Sequence, residues 1–376
     1  MEEICARLSA NIKGRRKALQ LTQSQLAEKL GYSEKAISKW ESGKGLPPTV
    51  ILPKLAHLLE LSLDELMSAP GQGTLYLGID GGGTKTAFAL ANDRGEILRE
   101  LTLGSSNPND IGLEAAKEVL RRGITTICEG YPRSSISLWA GLAGGTTSDT
   151  AEKLNAFLSH FGFAHVGNGS DAANAVSAAL GNADGIAVIM GTGSVAFAKK
   201  DENQYRFGGY GYLLGDDGSG FAIGAAVLEA ALQQEDGSGE QTALYPLVLS
   251  QCKAKTVLEA LGSFYKGGKA LIATYAPLLF RALEQKDAVA TAILQEQLQA
   301  IALLIRGGAK RLDTDTVSVV LCGGLASANA DHILPILNDI LQNDRQRYQI
   351  SICKATMTEG ALYLAGMPRT QEEASC

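Results

Sequence analysis

The chain has 376 residues, enough for two or three domains, with an apolar share of 45% and a formal net charge of −6. The low proline content without a Gly-X-Y repeat excludes collagen-like proteins, and six cysteines that never form C-x-x-C argue against zinc ribbons and iron–sulfur ligation. No uninterrupted apolar run reaches the roughly 18 residues of a membrane span, and the first residues lack a signal-peptide core. These observations predict a cytoplasmic protein with no membrane partner.

The first 70 residues differ from the rest in glycine content and charge. They hold 4 of the 43 glycines and carry a net charge of +2, whereas the remainder carries −8. Nucleic-acid binding is therefore expected in the front segment alone. Two different kinds of domain are predicted.

The front segment predicts an all-α domain of short helices. Two helices are marked by their caps, since Thr22 precedes a helix over 23–30 and Ser33 precedes a helix over 34–42. Gln25 stands at the reciprocal position of a capping box. Apolar residues at helical spacing predict that the two helices pack together: Leu26, Leu30, Ile37 and Trp40.

Stretches 21–27, 31–33 and 37–43, the last containing Trp-Glu-Ser-Gly, carry a resemblance to a known family. They resemble the helix-turn-helix domain of Cro/C1-type (XRE family) repressors. The resemblance implies a homodimer that binds a double-stranded DNA operator, with the helix over 34–42 in the major groove. It implies DNA contacts from Gln23, Ser33, Lys35, Ser38 and Lys39. The alternative is a small helical module for protein contacts.

After a short segment with proline and glycine at 69–74, the pattern changes to strands. Strands are predicted at 75–79, 87–90 and 97–103, and helices at 112–128 and 149–161. About 110 residues after the first glycine turn, a second cycle of strand, glycine turn and hairpin begins at 185–190. The repeat predicts a duplicated α/β unit with two lobes and a cleft between them.

The predicted domains are a helix-turn-helix domain at 1–68, a linker at 69–74, a first lobe at 75–182 and a second lobe at 183–376. A final helix near 359–366 is expected to pack back on the first lobe.

Glycine turns after strands let backbone N–H groups approach phosphate oxygens. A P-loop is excluded, since Gly78 and Gly83 have the spacing but Thr84 stands where lysine is required. A dinucleotide fingerprint at 191–196 lacks its helix, because 195–198 is predicted as strand. Both glycine motifs are therefore predicted to lie in hairpins.

Several motifs occur in the order of a second known family. They are Gly-Ile-Asp-Gly-Gly-Gly-Thr-Lys-Thr at 78–86, Gly-Thr-Gly-Ser at 191–194, the glycine-rich stretch 208–219, Cys-Gly-Gly at 322–324 and Glu-Gly-Ala-Leu at 359–362. Residues from about 75 to 367 resemble the N-acetylglucosamine kinase / BadF-BadG-BcrA-BcrD ATPase family of the actin/hexokinase/Hsp70-like superfamily. The resemblance implies an α/β two-lobed actin/hexokinase-like (ribonuclease H-like) ATPase domain after the all-α helix-turn-helix domain.

The resemblance implies ATP-dependent phosphorylation of an amino sugar, with ATP and Mg²⁺ as cofactors. It makes Asp171 the general base toward the sugar hydroxyl and Asp80 the Mg²⁺ ligand, through water. It assigns nucleotide contacts to Gly82, Gly83, Thr84, Lys85, Gly191, Thr192, Gly323 and Gly324. It assigns sugar contacts to Asp171 and to Asn107, Gly144, Gly145, Gly193, Tyr210 and Asp216. The simpler interpretations are a helix N-cap for Asp171 and a turn carboxylate for Asp216.

Three departures from the kinase pattern leave the identity of the sugar open. Pro108 stands where the kinases have histidine, Ala143 replaces a serine, and Tyr210 stands where tryptophan is common. The widely spaced cysteines give little support to the iron–sulfur branch of the family. The alternative function is a transcriptional regulator whose kinase-like domain binds sugar or nucleotide without significant turnover.

Overall fold

The computed structural model describes residues 2–61, 63–67, 74–147, 149–201 and 203–369. These form two compact units, the first holding the described residues up to Asn174 and from Ala361, the second holding Ala175–Gly360. Apart from Thr74, the predicted linker lies outside the described residues. The domain limits at 68, 75 and 182 therefore stay predictions.

The N-terminal domain in the first unit is helical, as predicted. Its helices are α1 (Glu2–Ala18), α2 (Gln23–Leu30), α3 (Glu34–Glu41), α4 (Leu52–Leu58) and α5 (Leu63–Met67), with a 3₁₀ turn at Thr49–Ile51. The side chains of Ile12, Leu26, Ile37, Leu55 and Leu59 are fully buried in its core. The predicted contact between α2 and α3 is confirmed.

The local signals that start and end these helices are confirmed. Thr22 and Gln25 form the predicted capping box, in which each side chain accepts a backbone N–H of the other residue. Gly31 ends α2 in the left-handed region, with φ 77°. Ser33 Oγ accepts a bond from Ala36 N–H, as an N-cap should.

The first α/β sheet also lies in the first unit. Its strands are β1 (Leu75–Gly81), β2 (Lys85–Ala91), β3 (Ile97–Gly104), β4 (Ile136–Leu142) and β5 (His165–Gly169). Their order is β3-β2-β1-β4-β5, with β2 antiparallel to both β1 and β3, and β4 parallel to both β1 and β5. The accompanying helices are α6 (Pro108–Ile111), α7 (Leu113–Ile127), α8 (Thr150–Ser159) and α9 (Asp171–Leu180), with a 3₁₀ turn at Arg133–Ser135.

The second unit contains a sheet of the same topology. Its strands are β6 (Gly185–Met190), β7 (Ser194–Lys200), β8 (Asn203–Gly208), β9 (Thr316–Cys322) and β10 (Arg347–Ile352). Their order β10-β9-β6-β7-β8 repeats that of the first sheet, antiparallel on the hairpin side and parallel on the other. The predicted duplication is therefore confirmed.

Most remaining helices belong to the second unit. They are α10 (Gly220–Asp236), α11 (Leu244–Cys252), α12 (Val257–Ala273), α13 (Ala276–Leu283), α14 (Ala288–Ala309), α15 (Gly324–Ala328), α16 (Ala330–Leu341) and α17 (Met357–Leu364). The last turn of α17 falls in the first unit, where Leu362 packs against Ala89 and Ala91 of β2.

Helix α14 is the one helix in the described ranges that is long and apolar enough to cross a membrane, with a mean hydropathy of 1.5. Its residues Leu294, Leu298, Ile301 and Ile305 are buried in the main core of the second unit. These buried positions recur every three or four residues, so packing against the core accounts for one apolar face of the helix.

Candidate functional site

Residues predicted for the site follow three parallel strands of the first sheet. Asp80 lies at the end of β1, Gly144 and Gly145 follow β4, and Asp171 follows β5 as the first residue of α9. Parallel strands end at the same edge of a sheet, which is where ligands bind in open α/β folds. The topology thus brings together residues that are far apart in sequence.

Asp80 and Asp171 are close enough to influence each other. Burial raises the pKa of Asp80 above its ordinary value, and the negative charge of Asp171 raises it further, against the hydrogen bond from Asn174. Burial also raises the pKa of Asp171, against backbone hydrogen bonds, although part of its side chain is open to solvent. A carboxylate with a raised pKa is a stronger base, and such groups concentrate at functional sites.

The helix-capping role expected in the simpler interpretation of Asp171 belongs to its neighbour. Ser170 Oγ accepts a bond from Ala173 N–H at 3.3 Å, the contact of an N-cap residue. Asp171 is already within the helix, and its Oδ1 accepts only the adjacent Ala172 N–H, at 3.0 Å, among the side-chain bonds described. Asp171 is therefore not the N-cap residue of α9, although a carboxylate in the first turn of a helix still interacts favourably with the helix dipole.

Asn174 holds Asp80 in place, a role that no sequence motif indicated. Its side chain is fully buried, and its Nδ2 donates to Asp80 Oδ1 at 2.8 Å and to Ile79 O at 3.2 Å. Its Oδ1 accepts the Trp139 indole N–H at 3.0 Å. At Gly141 of β4, a Cβ would lie only 2.2 Å from Asn174 Oδ1, so a side chain there would displace the amide. Asn174 joins β1, β4 and α9.

For the kinase that the sequence resemblance implies, replacing Asn174 by alanine should impair catalysis without changing the fold class. Groups that orient a metal-binding carboxylate typically contribute about ten- to hundredfold to activity or metal affinity. We expect Asn174→Ala to reduce turnover roughly tenfold and to raise the Mg²⁺ concentration for half-maximal rate. Asn155→Ala, which removes an exposed amide that bonds Asn168, is the control. An unchanged Mg²⁺ dependence in Asn174→Ala would contradict the positioning role.

The first glycine turn lies between β1 and β2. Gly82 N–H donates to Lys85 O at 2.9 Å, while Gly83, Thr84 and Lys85 are exposed. Because a strand rather than a helix begins at Lys85, the exclusion of a P-loop is confirmed. Exposed backbone at a glycine turn can approach an anion closely.

Asn107 and Gly144 meet in the first unit. Gly144 has φ 69°, and a Cβ on it would lie 2.4 Å from Asn107 Oδ1. The Asn107 side chain also caps α6, since Oδ1 accepts Asn109 N–H at 3.0 Å and Nδ2 donates to Asp110 Oδ2 at 2.6 Å. Both the oxygen and the nitrogen of the Asn107 amide therefore already form hydrogen bonds within the turn. Gly145 packs on Leu142, where a Cβ would come within 2.9 Å.

The second unit presents equivalent turns at its own strand ends. Gly191 and Thr192 connect β6 to β7 in a tight hairpin, and their carbonyls accept N–H groups of Gly220 and Phe221 at the start of α10. The exclusion of a dinucleotide fingerprint is confirmed, because β7 follows this turn. Gly323 follows β9 with φ 98°, and a Cβ there would lie 2.4 Å from Met190 O, so only glycine fits. Gly324 is exposed and begins α15.

Asp216 is buried and paired, a feature not predicted. It is 5% exposed with φ 65°, and its Oδ2 lies 2.6 Å from Lys269 Nζ. A Cβ on Gly193 would lie 3.0 Å from the same oxygen, so these two predicted residues are neighbours. Lys269 follows a break in α12 at Gly268, which has φ 58° and ψ −153°. Tyr210 is 65% exposed, and the Arg206 guanidinium lies 5.7 Å from its ring centre.

The candidate metal ligands in the described ranges are single carboxylates. No three His, Cys, Asp or Glu side chains there form a group that could hold a metal ion. Asp80, which is half-buried and has Oδ1 bonded by Asn174, could supply one ligand to a hard divalent cation such as Mg²⁺. None of the five described cysteines forms a disulfide.

Four of the five predicted DNA-contacting residues are exposed in the N-terminal domain, and the fifth is partly buried. Ser33, Lys35, Ser38 and Lys39 are exposed on α3 and at its cap, and 35, 38 and 39 share one helix face. Gln23 is partly buried instead, and its Nε2 donates to Glu41 Oε2 at 2.8 Å.

Comparison with known proteins identifies both parts of the chain. The model of the BadF/BadG/BcrA/BcrD ATPase family matches residues 77–365, and a helix-turn-helix model matches residues 12–66. The chain belongs to the BadF/BadG/BcrA/BcrD ATPase family. Both resemblances seen in the sequence are confirmed.

Individual proteins that are similar to this chain agree with the family assigned to each of its two parts. The N-acetylmuramic acid/N-acetylglucosamine kinase of Clostridium acetobutylicum is 29% identical over 301 residues, which span 77% of this chain and 97% of the relative. The cryptic phage CTXphi transcriptional repressor of Vibrio cholerae is 42% identical over 60 residues, 16% of this chain and 54% of the repressor.

A solved structure supports the fold of the family domain. A proposed N-acetylglucosamine kinase from Chromobacterium violaceum is 26% identical with a TM-score of 0.61, over 78% of this chain and 99% of that one. The fold class is therefore a helical helix-turn-helix domain followed by a two-sheet α/β domain of the actin-like sugar-kinase type. This combination fits a regulator fused to a kinase-type domain.

Proposed function

We propose that this protein is a DNA-binding transcriptional regulator fused to an ATP-dependent amino-sugar kinase. The observation that carries the kinase part is the pair Asp80 and Asp171 at the strand ends, both with raised pKa, with Asn174 fixing Asp80. The Clostridium acetobutylicum kinase, 97% of whose length aligns with this chain, supports the substrate class.

In this proposal Asp171 is the general base. It accepts the proton of a sugar hydroxyl while the hydroxyl oxygen forms a bond to the γ-phosphorus of ATP. The bond between the γ-phosphorus and its bridging oxygen breaks, and ADP leaves with that electron pair. The raised pKa of Asp171 increases its strength as a base.

Asp80 would hold Mg²⁺ through water, and bound Mg²⁺ would neutralise phosphate charge. The exposed turn of Gly82, Gly83, Thr84 and Lys85 contacts phosphate oxygens in this proposal, as do Gly191 and Thr192. Gly323 and Gly324 lie along adenosine, where a side chain would obstruct the nucleotide. The sugar contacts are Asn107, Gly144, Gly145, Gly193, Tyr210 and Asp216.

A sensing domain without significant turnover is the second candidate function. The fusion to a helix-turn-helix domain favours it, because a regulator needs its second domain only to bind a ligand.

Product analysis separates the two candidates. The full chain is incubated with ATP, Mg²⁺ and a panel of amino sugars, and phosphorylated sugars are detected by mass spectrometry. The kinase proposal expects phosphate on one or more sugars. A sugar that raises the melting temperature without being phosphorylated would select the sensor.

The N-terminal domain binds double-stranded operator DNA as a homodimer in this proposal, with α3 in the major groove. The exposed basic side chains of Lys35 and Lys39 on one helix face support it. Because such a protein needs both DNA and ATP, we propose that it acts in the cytoplasm.

Salt dependence tests the role of Lys39. Each phosphate contact releases counterions, so Lys39→Gln is expected to weaken DNA binding and reduce the slope of log K against log salt by about 1. Fluorescence anisotropy between low and physiological salt measures both. Lys266→Gln, at an exposed lysine of the second unit, should change neither. An unaltered slope in Lys39→Gln would refute this contact.

A further inference from the structure

A basic and aromatic pocket lies in the first unit. Helices α7 and α8 and the 3₁₀ turn Arg133–Ser135 line it, and its volume is about 710 Å³. None of the residues proposed for the kinase or for DNA contacts lines this pocket.

Four cationic side chains converge on this pocket, and its described lining contains no carboxylate. They are Lys117, Arg121, Arg133 and Lys153. Three of them pair with Glu114, Glu118 and Asp149, whose side chains are 83%, 56% and 61% exposed and lie outside the lining. Exposed ion pairs of this kind are weak and exchange readily for a better anion.

Two phenylalanine rings provide an apolar wall and orient the arginines. The rings of Phe157 and Phe161 pack edge to face with centres 5.3 Å apart. The Arg121 guanidinium lies 5.3 Å from the Phe157 ring centre, and that of Arg133 lies 5.4 Å from the Phe161 ring centre. Stacked guanidinium groups keep their N–H edges available for the bidentate contacts that phosphate oxygens accept.

We infer that this pocket binds a sugar phosphate. The cationic lining selects the phosphate, the rings cover the less polar face of the sugar, and the volume accommodates the whole molecule. The choice of a sugar as the body rests on the proposed kinase function, whereas the phosphate site rests on the pocket alone. A concave site of this size suits a small ligand better than a DNA backbone.

The pocket also adjoins the DNA-binding domain. The turn that carries Arg133 lies against α5, the last helix of that domain. A ligand held by Arg133 therefore acts next to the DNA-binding domain and can bias its position. This makes the pocket an effector site.

Calorimetry on the full chain tests the inference at low salt. The probes are N-acetylglucosamine 6-phosphate, N-acetylglucosamine and inorganic phosphate. We expect the sugar phosphate to bind more tightly than either of the others. Each charged hydrogen-bonding group typically contributes roughly ten- to hundredfold to affinity, so Arg121→Gln and Arg133→Gln should each weaken binding at least tenfold. Arg311→Gln, which removes a guanidinium stacked on Tyr205 in the second unit, is the matched control.

Several outcomes overturn the inference. A double variant carries both Arg121→Gln and Arg133→Gln. If it binds the sugar phosphate as tightly as the wild type does, the ligand binds elsewhere. If inorganic phosphate binds as tightly as the sugar phosphate, the pocket does not recognise the sugar. If no probe binds and the double variant instead lowers the salt slope of DNA binding, the pocket is part of the DNA interface. The kinase proposal is tested separately, because a chain without turnover can still bind the sugar phosphate.

Discussion

Asp171→Asn is expected to reduce the turnover number for sugar phosphorylation by a factor of about 10² to 10⁴, the usual contribution of a general base. The amide has nearly the shape of the carboxylate but cannot accept the proton of the attacking hydroxyl. Its oxygen can still accept Ala172 N–H, so α9 should begin at the same residue. Sugar affinity, measured by calorimetry without ATP, should stay within a few-fold.

Asp93→Asn is the matched control for this prediction. Asp93 is an exposed aspartate in the turn between β2 and β3, within the same unit as Asp171. Its replacement should leave both turnover and sugar affinity unchanged. Turnover of Asp171→Asn equal to that of Asp93→Asn would refute the general-base assignment.

Glu41→Ala is expected to destabilise the N-terminal domain by about 3–5 kcal/mol, the cost of leaving a buried charge unpaired. The side chains of Arg16 and Glu41 are 10% and 3% exposed, and Arg16 Nη2 donates to Glu41 Oε2 at 3.0 Å. Arg16 also donates to Leu21 O, and Gln23 donates to Glu41. Removal of the carboxylate leaves the Arg16 guanidinium among α1, α2 and α3 without its charge partner. A domain this small has little stability to lose.

Hydrogen exchange of α2 and α3 peptides in the full chain measures this loss. Glu60→Ala is the control, because Glu60 forms an exposed pair with Arg15 at 3.3 Å in the same domain. Exposed pairs contribute about 0–1 kcal/mol, so exchange in Glu60→Ala should be close to that of the wild type. Similar protection in Glu41→Ala and Glu60→Ala would show that the buried pair does not stabilise the domain.

Lowering the pH should remove the stabilisation that the buried pair of Arg16 and Glu41 provides. Burial raises the pKa of Glu41, but the hydrogen bonds from Arg16 and Gln23 outweigh it and place the pKa below the ordinary value of 4.5. The stabilisation is therefore complete above about pH 4.5 and is lost as the pH falls through the lowered pKa of the folded state. The stability difference between the wild type and Glu41→Ala should shrink over that range.

Features that depend on neighbours in sequence could be predicted closely. Helix α2 has the predicted bounds, because Thr22, Gln25 and Gly31 specify both of its ends through local bonds. Strand β6 was also placed correctly, since a short apolar run precedes a glycine turn. The equal topology of the two sheets followed from a repeated pattern of strand, glycine turn and hairpin.

Individual side-chain contacts between distant residues could not be predicted. Asn174 lies 94 positions from Asp80, and an asparagine in an alanine-rich helix carries no local signal for its partner. Lys269 lies 53 positions from Asp216, and no local pattern in the sequence links the two residues. The pocket cations come from three separate elements, so their convergence depends on packing.

The most direct test of a working kinase in this fusion is ADP release by the wild type and Asp171→Asn across the amino-sugar panel. The account predicts that one or more sugars raise ADP release by the wild type far above the rate without sugar, while Asp171→Asn stays near that background. Background rates for every sugar in the wild type, with a sugar that nevertheless raises its melting temperature, would contradict the kinase and establish a sensor.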